Sequence, residues 1–200
     1  MLSVAGKNQM LDNFGGTYLA LHTAYPGDSG ANETSGGSPA YARKQGTFAS
    51  ATGGSKSLSS PQTFDVFGSV GTPVTLRFVG RWSAATAGTF LGCLPLGGTE
   101  KEYAVDTATD VITCNAHGYA DTTKIVFTNG SAPAGLTEGT VYFVRDSTTN
   151  TFKVAATSGG AAIDLTAQPA AGSVVSLIVE EIVTSQGTLA VNTFTINANG

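Results

Sequence analysis

The sequence has few charged residues and no excess of basic ones. Charged side chains make up 12% of the 200 residues, whereas an average soluble domain has about 25%. Fourteen acidic and ten basic residues give a net charge of −4, and neither sign forms a run. Nucleic acids and anionic membranes are bound through clustered lysine and arginine. We therefore expect neither as a partner of this protein.

Long apolar segments and a cysteine framework are also missing. The longest apolar run, residues 174–179, is too short to span a bilayer, and the first residues lack the apolar block of a secretory signal. The only cysteines, Cys93 and Cys114, do not have the spacing of a metal site. They could form one disulfide if they were close in space, but we expect reduced, buried thiols.

Most of the remaining sequence consists of short strand patterns between turn residues. Gly occurs 26 times, and apolar residues alternate with polar ones in segments such as 17–23, 63–67, 74–79 and 89–94. One helix is expected over residues 4–14, capped by Ser3 and packed through Met10, Leu11 and Phe14. The sequence predicts an all-β protein, an antiparallel β-sandwich with a short N-terminal helix.

The pattern of strands and turns in the sequence changes near residue 107. Five strand patterns follow at short spacing, over residues 111–113, 124–127, 140–144, 151–154 and 174–179, without helices between them. We expect a second small β domain, sandwich or barrel-like, over residues 106–179. It is inserted before the last strands of the first domain, which takes residues 1–105 plus 180–200 and docks on other proteins.

The inventory of reactive side chains argues against an enzyme. The only histidines are His22, in a strand, and His117, in an Asn-Ala-His-Gly turn. We expect His22 to be packed and the His117 ring to bind loop backbone groups. A nucleophile-elbow pattern G-x-S-x-G is absent, and so are phosphate-binding and calcium-binding spacings. We expect no catalytic residues, no cofactor and no metal.

Aromatic residues leave a sugar-binding alternative open. Stacking faces for a carbohydrate could come from Trp82, Tyr25, Tyr41, Tyr119 and Tyr142. The same residues are also what the core and turns of a β-sandwich need, and we favour that structural role. Few charges and long Gly/Ser/Thr loops instead indicate a surface that docks on neighbouring proteins through backbone contacts.

Two stretches in the first half resemble tailed-bacteriophage virion proteins. Residues 19–33 read LALHTAYPGDSGANE and continue with SGG at 35–37 and YARK at 41–44. Residues 78–91 read FVGRWSAATAGTFL, similar to a strand–turn–strand of the same family. Arg81 stands where that pattern has an apolar residue, which suggests a contact or salt bridge particular to this chain. Residues 111–162 resemble a separate phage-associated β module.

This resemblance implies a structural protein of the virion. We expect a capsid decoration or cement protein that docks on the major capsid protein or on other virion proteins, in many copies or as a homo-oligomer. A tail-fibre or tail-tip subunit, which could touch the host surface, is an alternative, and a carbohydrate-binding module is another.

The predicted contacts lie in the loop over residues 26–44 and on the N-terminal helix. The candidate contact residues of the loop are Pro26, Gly27, Asp28, Asn32, Glu33, Tyr41 and Arg43. Arg81 is the candidate for a specific contact outside the loop.

Overall fold

Short antiparallel strands separated by turns account for most of the structure. The computed structural model describes residues 2–130 and 132–198. Every strand pair with a defined register is antiparallel. The fold is all-β and sandwich-like with one short helix, as the sequence predicts.

The chain divides into two compact units. Unit 1 comprises Met1–Leu94 with Glu180–Gly200, and unit 2 comprises Pro95–Val179. The second unit begins earlier than the expected residue 106, because two short strands before that position pair with strands of unit 2.

In unit 1 the helix and seven strands come first in the chain. They are α1 (Val4–Asn13), β1 (Tyr18–His22), β2 (Lys44–Gln45), β3 (Ser55–Ser57), β4 (Gln62–Val66), β5 (Val74–Leu76), β6 (Phe78–Trp82) and β7 (Phe90–Pro95). Unit 2 contains β8 (Lys101–Glu102), β9 (Ala104–Asp106), β10 (Val111–Thr113), β11 (Lys124–Thr128), β12 (Val141–Arg145), β13 (Thr151–Ala155) and β14 (Val174–Leu177). The chain then returns to unit 1 with β15 (Glu181–Val183), β16 (Gly187–Val191) and β17 (Thr195–Asn197).

The main sheet of unit 1 has four strands in the order β2-β1-β6-β7. Its centre is the β1–β6 pair, in which Leu19 lies opposite Arg81 and Leu21 opposite Val79. Both strands are buried almost throughout, since apolar and small residues occupy both of their faces. Because β1 and β6 are buried and paired, the chain segments that flank these two strands have fixed positions.

The predicted strand over residues 74–79 is two strands, which lie in different sheets. The chain leaves β5 and enters β6 at Arg77, whose backbone N–H donates to His22 O and whose guanidinium donates to Glu180 at 2.6 Å. The alternation of side chains continues through this residue, so the sequence alone does not reveal the break.

The three returning strands pair with earlier strands of unit 1 as separate two-stranded ribbons. The pairs are β15 with β5, β16 with β4 and β17 with β3. They return to the first domain, as expected for its last strands, but none of them joins the four-stranded main sheet. Because isolated ribbons are marginally stable, their apolar residues must pack on the rest of the unit, as buried Phe64, Leu76 and Val191 do.

Unit 2 is one seven-stranded sheet in the order β8-β14-β11-β12-β13-β10-β9. All five strands expected here are present, and β8 and β9 are additional. The buried core of the unit includes Ile112, Cys114, Ile125, Phe127, Phe152, Val154 and Leu165. The ends of the unit are adjacent, since Val179 N–H donates to Leu96 O at 2.8 Å.

The N-terminal helix matches its predicted start but not its predicted packing. Ser3 caps it by accepting a hydrogen bond from Gly6 N–H. Only Leu11 is buried, whereas Met10 and Phe14 are exposed, so the expected three-residue packing face is reduced to one. Within the described residues, α1 does not have the length or apolarity of a membrane-crossing helix.

Candidate functional site

The loop over residues 26–44 is an ordered part of unit 1. It folds back along β1, where Glu33 forms a β-bridge with His22 and Thr34 N–H donates to Leu21 O. Thr34 itself is buried. The loop is therefore not the detachable docking arm that its Gly and Ser content suggests.

Glu33 and Arg43 form an ion pair inside this loop. The Arg43 Nε lies 3.0 Å from Glu33 Oε1, and its Nη2 lies 2.7 Å from Oε2, a bidentate geometry that suits a guanidinium. The Nη1 of Arg43 also donates to the carbonyls of Ala84 and Ala87 at 3.2 and 2.6 Å. The pair thus ties the loop to the β6–β7 turn.

Trp82 covers this ion pair. The Arg43 guanidinium lies 3.5 Å from the centroid of the Trp82 ring, close enough for a strong cation–π contact. The Trp82 ring also packs edge-on against Phe90. It lies over Gly30, where an added Cβ would come within 2.3 Å of the indole. Trp82 is thus an internal anchor of the loop.

Tyr41 joins the same cluster through its hydroxyl group. The hydroxyl accepts a hydrogen bond from Leu21 N–H at 2.8 Å and donates to Glu33 at 3.3 Å. Burial raises the pKa of Tyr41 well above its usual range. Its ring stacks on Phe64 at a centroid distance of 6.2 Å.

Of the seven predicted loop contacts, Asp28 and Asn32 are exposed and Pro26 is buried. Asn32 adopts a positive φ and donates its side-chain amide to Tyr25 O at 2.9 Å, while its outer surface stays accessible. Gly27 has open space where a side chain would be. The accessible tip of the loop is therefore formed by residues 27–29 and Asn32.

Three exposed apolar residues that the sequence analysis missed lie in unit 1, one of them beside the second half of the loop. They are Phe67, Val70 and Ile182, exposed by 43, 88 and 60%, and we call them the apolar patch. Phe67 lies next to Gly37, where an added Cβ would be 3.0 Å from the Phe67 Cβ. Ile182 belongs to the β5–β15 ribbon, and Val70 lies in the turn that leads into it. The available signal was Val70, an apolar residue in the turn sequence GSVG.

Arg81 is not a surface contact, because it is 6% exposed. Its guanidinium lies 5.1 Å from the Phe14 ring centroid, and its Nη2 is 3.5 Å from Leu91 O. The expected salt bridge is absent among the residues that the structure describes. Burial lowers the pKa of this guanidinium.

The two histidines occupy packed positions, as predicted. His22 is fully buried, and its Nδ1 donates to Ala31 O at 2.7 Å, because a carbonyl can only accept. His117 Nδ1 accepts a hydrogen bond from Tyr119 N–H at 3.0 Å, which satisfies its own turn.

The remaining candidate sites from the sequence are a metal site, the two cysteines and a sugar-binding aromatic surface. The described residues contain no group of three His, Cys, Asp or Glu side chains suited to a metal ion. Cys93 and Cys114 do not form a disulfide with each other; Cys114 is buried as expected, whereas Cys93 is partly exposed. Burial raises the pKa of Cys114. The faces of Trp82, Tyr119 and Tyr142 are buried, which leaves little aromatic surface for a sugar.

A comparison with protein families gives one match. Residues 4–120 match the family model described as Podophage GP4 fiber I protein gp80. The matched region spans α1 to β10, including the loop, its cluster and Arg81. No curated protein and no solved structure matched the chain.

Proposed function

Because the chain belongs to the family of the podophage GP4 fiber I protein gp80, we propose that it is a structural subunit of a fibre on a tailed-phage virion. The single observation that carries this proposal is the family match, which covers more than half of the sequence. Capsid decoration, which the sequence analysis preferred, remains the competing prediction.

A structural role agrees with how unit 1 uses its polar residues. Glu33, Arg43, Arg77 and Glu180 are in ion pairs that hold loops and strands together, and the imidazole of His22 is buried. Side chains committed to such pairs are not free to move protons or bind a small substrate. We therefore propose a protein without catalytic activity, whose function is to bind other virion proteins.

The docking surface proposed for unit 1 combines the loop tip with the apolar patch. Protein interfaces commonly have an apolar and aromatic centre with a polar rim. Phe67, Val70 and Ile182 supply the apolar part, and Asp28 and Asn32 are accessible polar groups on the neighbouring loop. The partner that we propose is another virion protein, which would cover the patch in the assembled particle.

The location of the protein distinguishes a fibre from a capsid cement. Purified particles are separated into heads and tails, and the protein is quantified in each fraction by immunoblot and gel densitometry. We expect it in the tail fraction, in a copy number that is a small multiple of the tail symmetry. Recovery with heads, in hundreds of copies that follow the capsid lattice, would contradict the fibre proposal and support decoration.

The docking surface is tested by incorporation of variants into particles. The double substitution Val70→Asp and Ile182→Asp places charges on the apolar patch, and we expect incorporation to fall about tenfold or more. Val179→Asp is the matched control, because this valine is similarly exposed but belongs to unit 2. The melting temperatures of all variants are measured as well. Equal incorporation of the double variant and the control would show that the patch does not dock.

A further inference from the structure

Arg81 differs from the other arginines of the chain in having no carboxylate partner. The sequence contains four arginines, and Arg43, Arg77 and Arg145 each pair with an Asp or Glu at 2.6 to 3.1 Å. Arg81 is more than nine-tenths buried, and no acidic side chain of the described residues reaches it. Its one hydrogen bond, to Leu91 O, is 3.5 Å long.

A guanidinium in this position is expected to find a counter-charge. Arginine keeps its proton in proteins, so Arg81 carries a positive charge into the interior of unit 1. A buried charge without an ionic partner is costly, and a hydrogen bond at 3.5 Å offsets little of that cost. The contact with the Phe14 ring at 5.1 Å contributes a modest cation–π attraction.

The guanidinium lines a small open pocket between α1 and the strands of unit 1. The other walls include Leu11 and Phe14 from the helix region, together with Phe48, Ile196 and Lys56. The pocket is open to solvent, and the space inside its mouth is about that of one water molecule. Lys56 already pairs with Asp12 at 3.2 Å and donates to Leu11 O. Arg81 is therefore the one uncompensated charge of the pocket.

We propose that this pocket binds one carboxylate group, held by the guanidinium of Arg81. The planar fork of arginine donors matches a carboxylate. One carboxylate oxygen fits the water-sized space, and the rest of the acid lies in the open mouth. One missing negative charge favours a carboxylate over a phosphate dianion. The carboxylate belongs either to a small organic acid or to an acidic side chain of another protein chain, which present the same chemistry to Arg81.

The proposal is tested by nuclear magnetic resonance on the arginine Nε–Hε signals of the whole protein. The Arg81 signal is identified by its disappearance in Arg81→Leu. Formate and acetate are added at constant ionic strength, with chloride as the reference anion. We expect a saturable shift of the Arg81 signal with a dissociation constant on the order of 1–10 mM. The signals of Arg43, Arg77 and Arg145 act as internal controls, because their carboxylate partners are already present.

The outcomes separate the proposal from its rivals. Phosphate should bind no more tightly than formate at equal ionic strength. An Arg81 signal that does not move, that shifts without saturation, or that prefers phosphate would overturn the carboxylate site. If Arg81→Leu fails to fold, Arg81→Lys identifies the signal instead.

Dilution then distinguishes the two sources of the carboxylate. If another copy of the chain supplies it, the Arg81 signal depends on protein concentration and formate competes with self-association in sedimentation velocity. If a small acid supplies it, the signal is independent of protein concentration. Either result is compatible with the site, and neither depends on whether the protein is incorporated in a fibre or a capsid.

Discussion

The guanidinium of Arg43 lies 3.5 Å from the ring centroid of Trp82 and also forms the ion pair with Glu33. These residues come from the loop and from β6, so the contact joins segments distant in sequence. The side chain of Arg43 is 10% exposed, and in such a site water competes little with the protein groups. The cluster is therefore a principal support of the loop.

Replacing Arg43 with Lys should destabilise unit 1 although the charge is retained. A lysine cannot form the bidentate pair or stack flat on the indole, and we expect a loss of about 2–4 kcal/mol in the free energy of unfolding. Urea unfolding followed by circular dichroism, which reports on the strands of both units, measures this loss. The control is Arg145→Lys, whose partner Asp146 is largely exposed, with an expected loss below about 1 kcal/mol. Equal effects of the two substitutions would contradict the role of the cluster.

Gly30 should tolerate no side chain. It has a φ of +72°, and an added Cβ would lie 2.3 Å from the Trp82 ring, so Gly30→Ala combines backbone strain with overpacking. We expect a loss of about 2–4 kcal/mol. Gly27→Ala is the matched control in the same loop, because it has a φ of +57° but open space around the position. Its loss should be about 1 kcal/mol. Thermal unfolding of both variants provides the comparison.

The buried ring of His22 should make stability fall in mild acid. Burial lowers the pKa of His22 below its ordinary value, while nearby Glu33 acts to raise it and Arg43 to lower it. The unfolded chain therefore binds a proton at a pH where the folded chain does not, and stability is lost as the pH falls below about 6.5. Once the pH is below the pKa of His22 in the folded protein, His22 is protonated in both states and the loss of stability does not increase further.

The variant His22→Asn isolates this contribution. Asparagine retains an N–H that can donate to Ala31 O but does not titrate. Urea unfolding of both proteins between pH 7 and pH 5 should show a smaller loss of stability in the variant. An identical pH dependence would indicate that His22 does not contribute.

Unit 2 should be removable without unfolding unit 1. Leu96 and Val179 are joined by a backbone hydrogen bond of 2.8 Å, so a short Gly-Ser linker can replace residues 97–178. Trp82, the single tryptophan, reports on unit 1 alone. We expect its unfolding free energy to stay within about 1 kcal/mol of the full chain. Loss of cooperative unfolding in the shortened chain would contradict the proposed division into two domains.

Several strands could be recognised from local pattern, and others could not. Four of the five strands of unit 2 expected from the sequence have four or five residues, long enough to show alternation or an apolar run. The fifth, β10, has three residues, but all of them are β-branched, which favours a strand. The strands β8 and β9 have two and three residues, too few for a period-2 pattern to emerge. They exist because β14 and β10 offer free edges to them.

The candidate site was predicted less completely than the fold. The loop was located correctly as a segment, but Glu33, Tyr41 and Arg43 were expected on its surface. They are instead in contact with each other, with the backbone of β1 and with Trp82. A polar residue in a Gly-rich loop looks solvated when only its neighbours in sequence are considered.

Composition, turn residues and strand periodicity determined the all-β class and the capped N-terminal helix. They also determined the change in sequence pattern near the start of unit 2. These properties depend on residues within a few positions of each other, and backbone sterics act over the same range. Only the tertiary structure decided that Arg43 lies under Trp82, that Arg81 is buried without a carboxylate, and that Phe67, Val70 and Ile182 are exposed. Those relationships depend on which distant segments come into contact. The free energy that favours this arrangement is distributed over the whole packed unit and is not contained in any local segment.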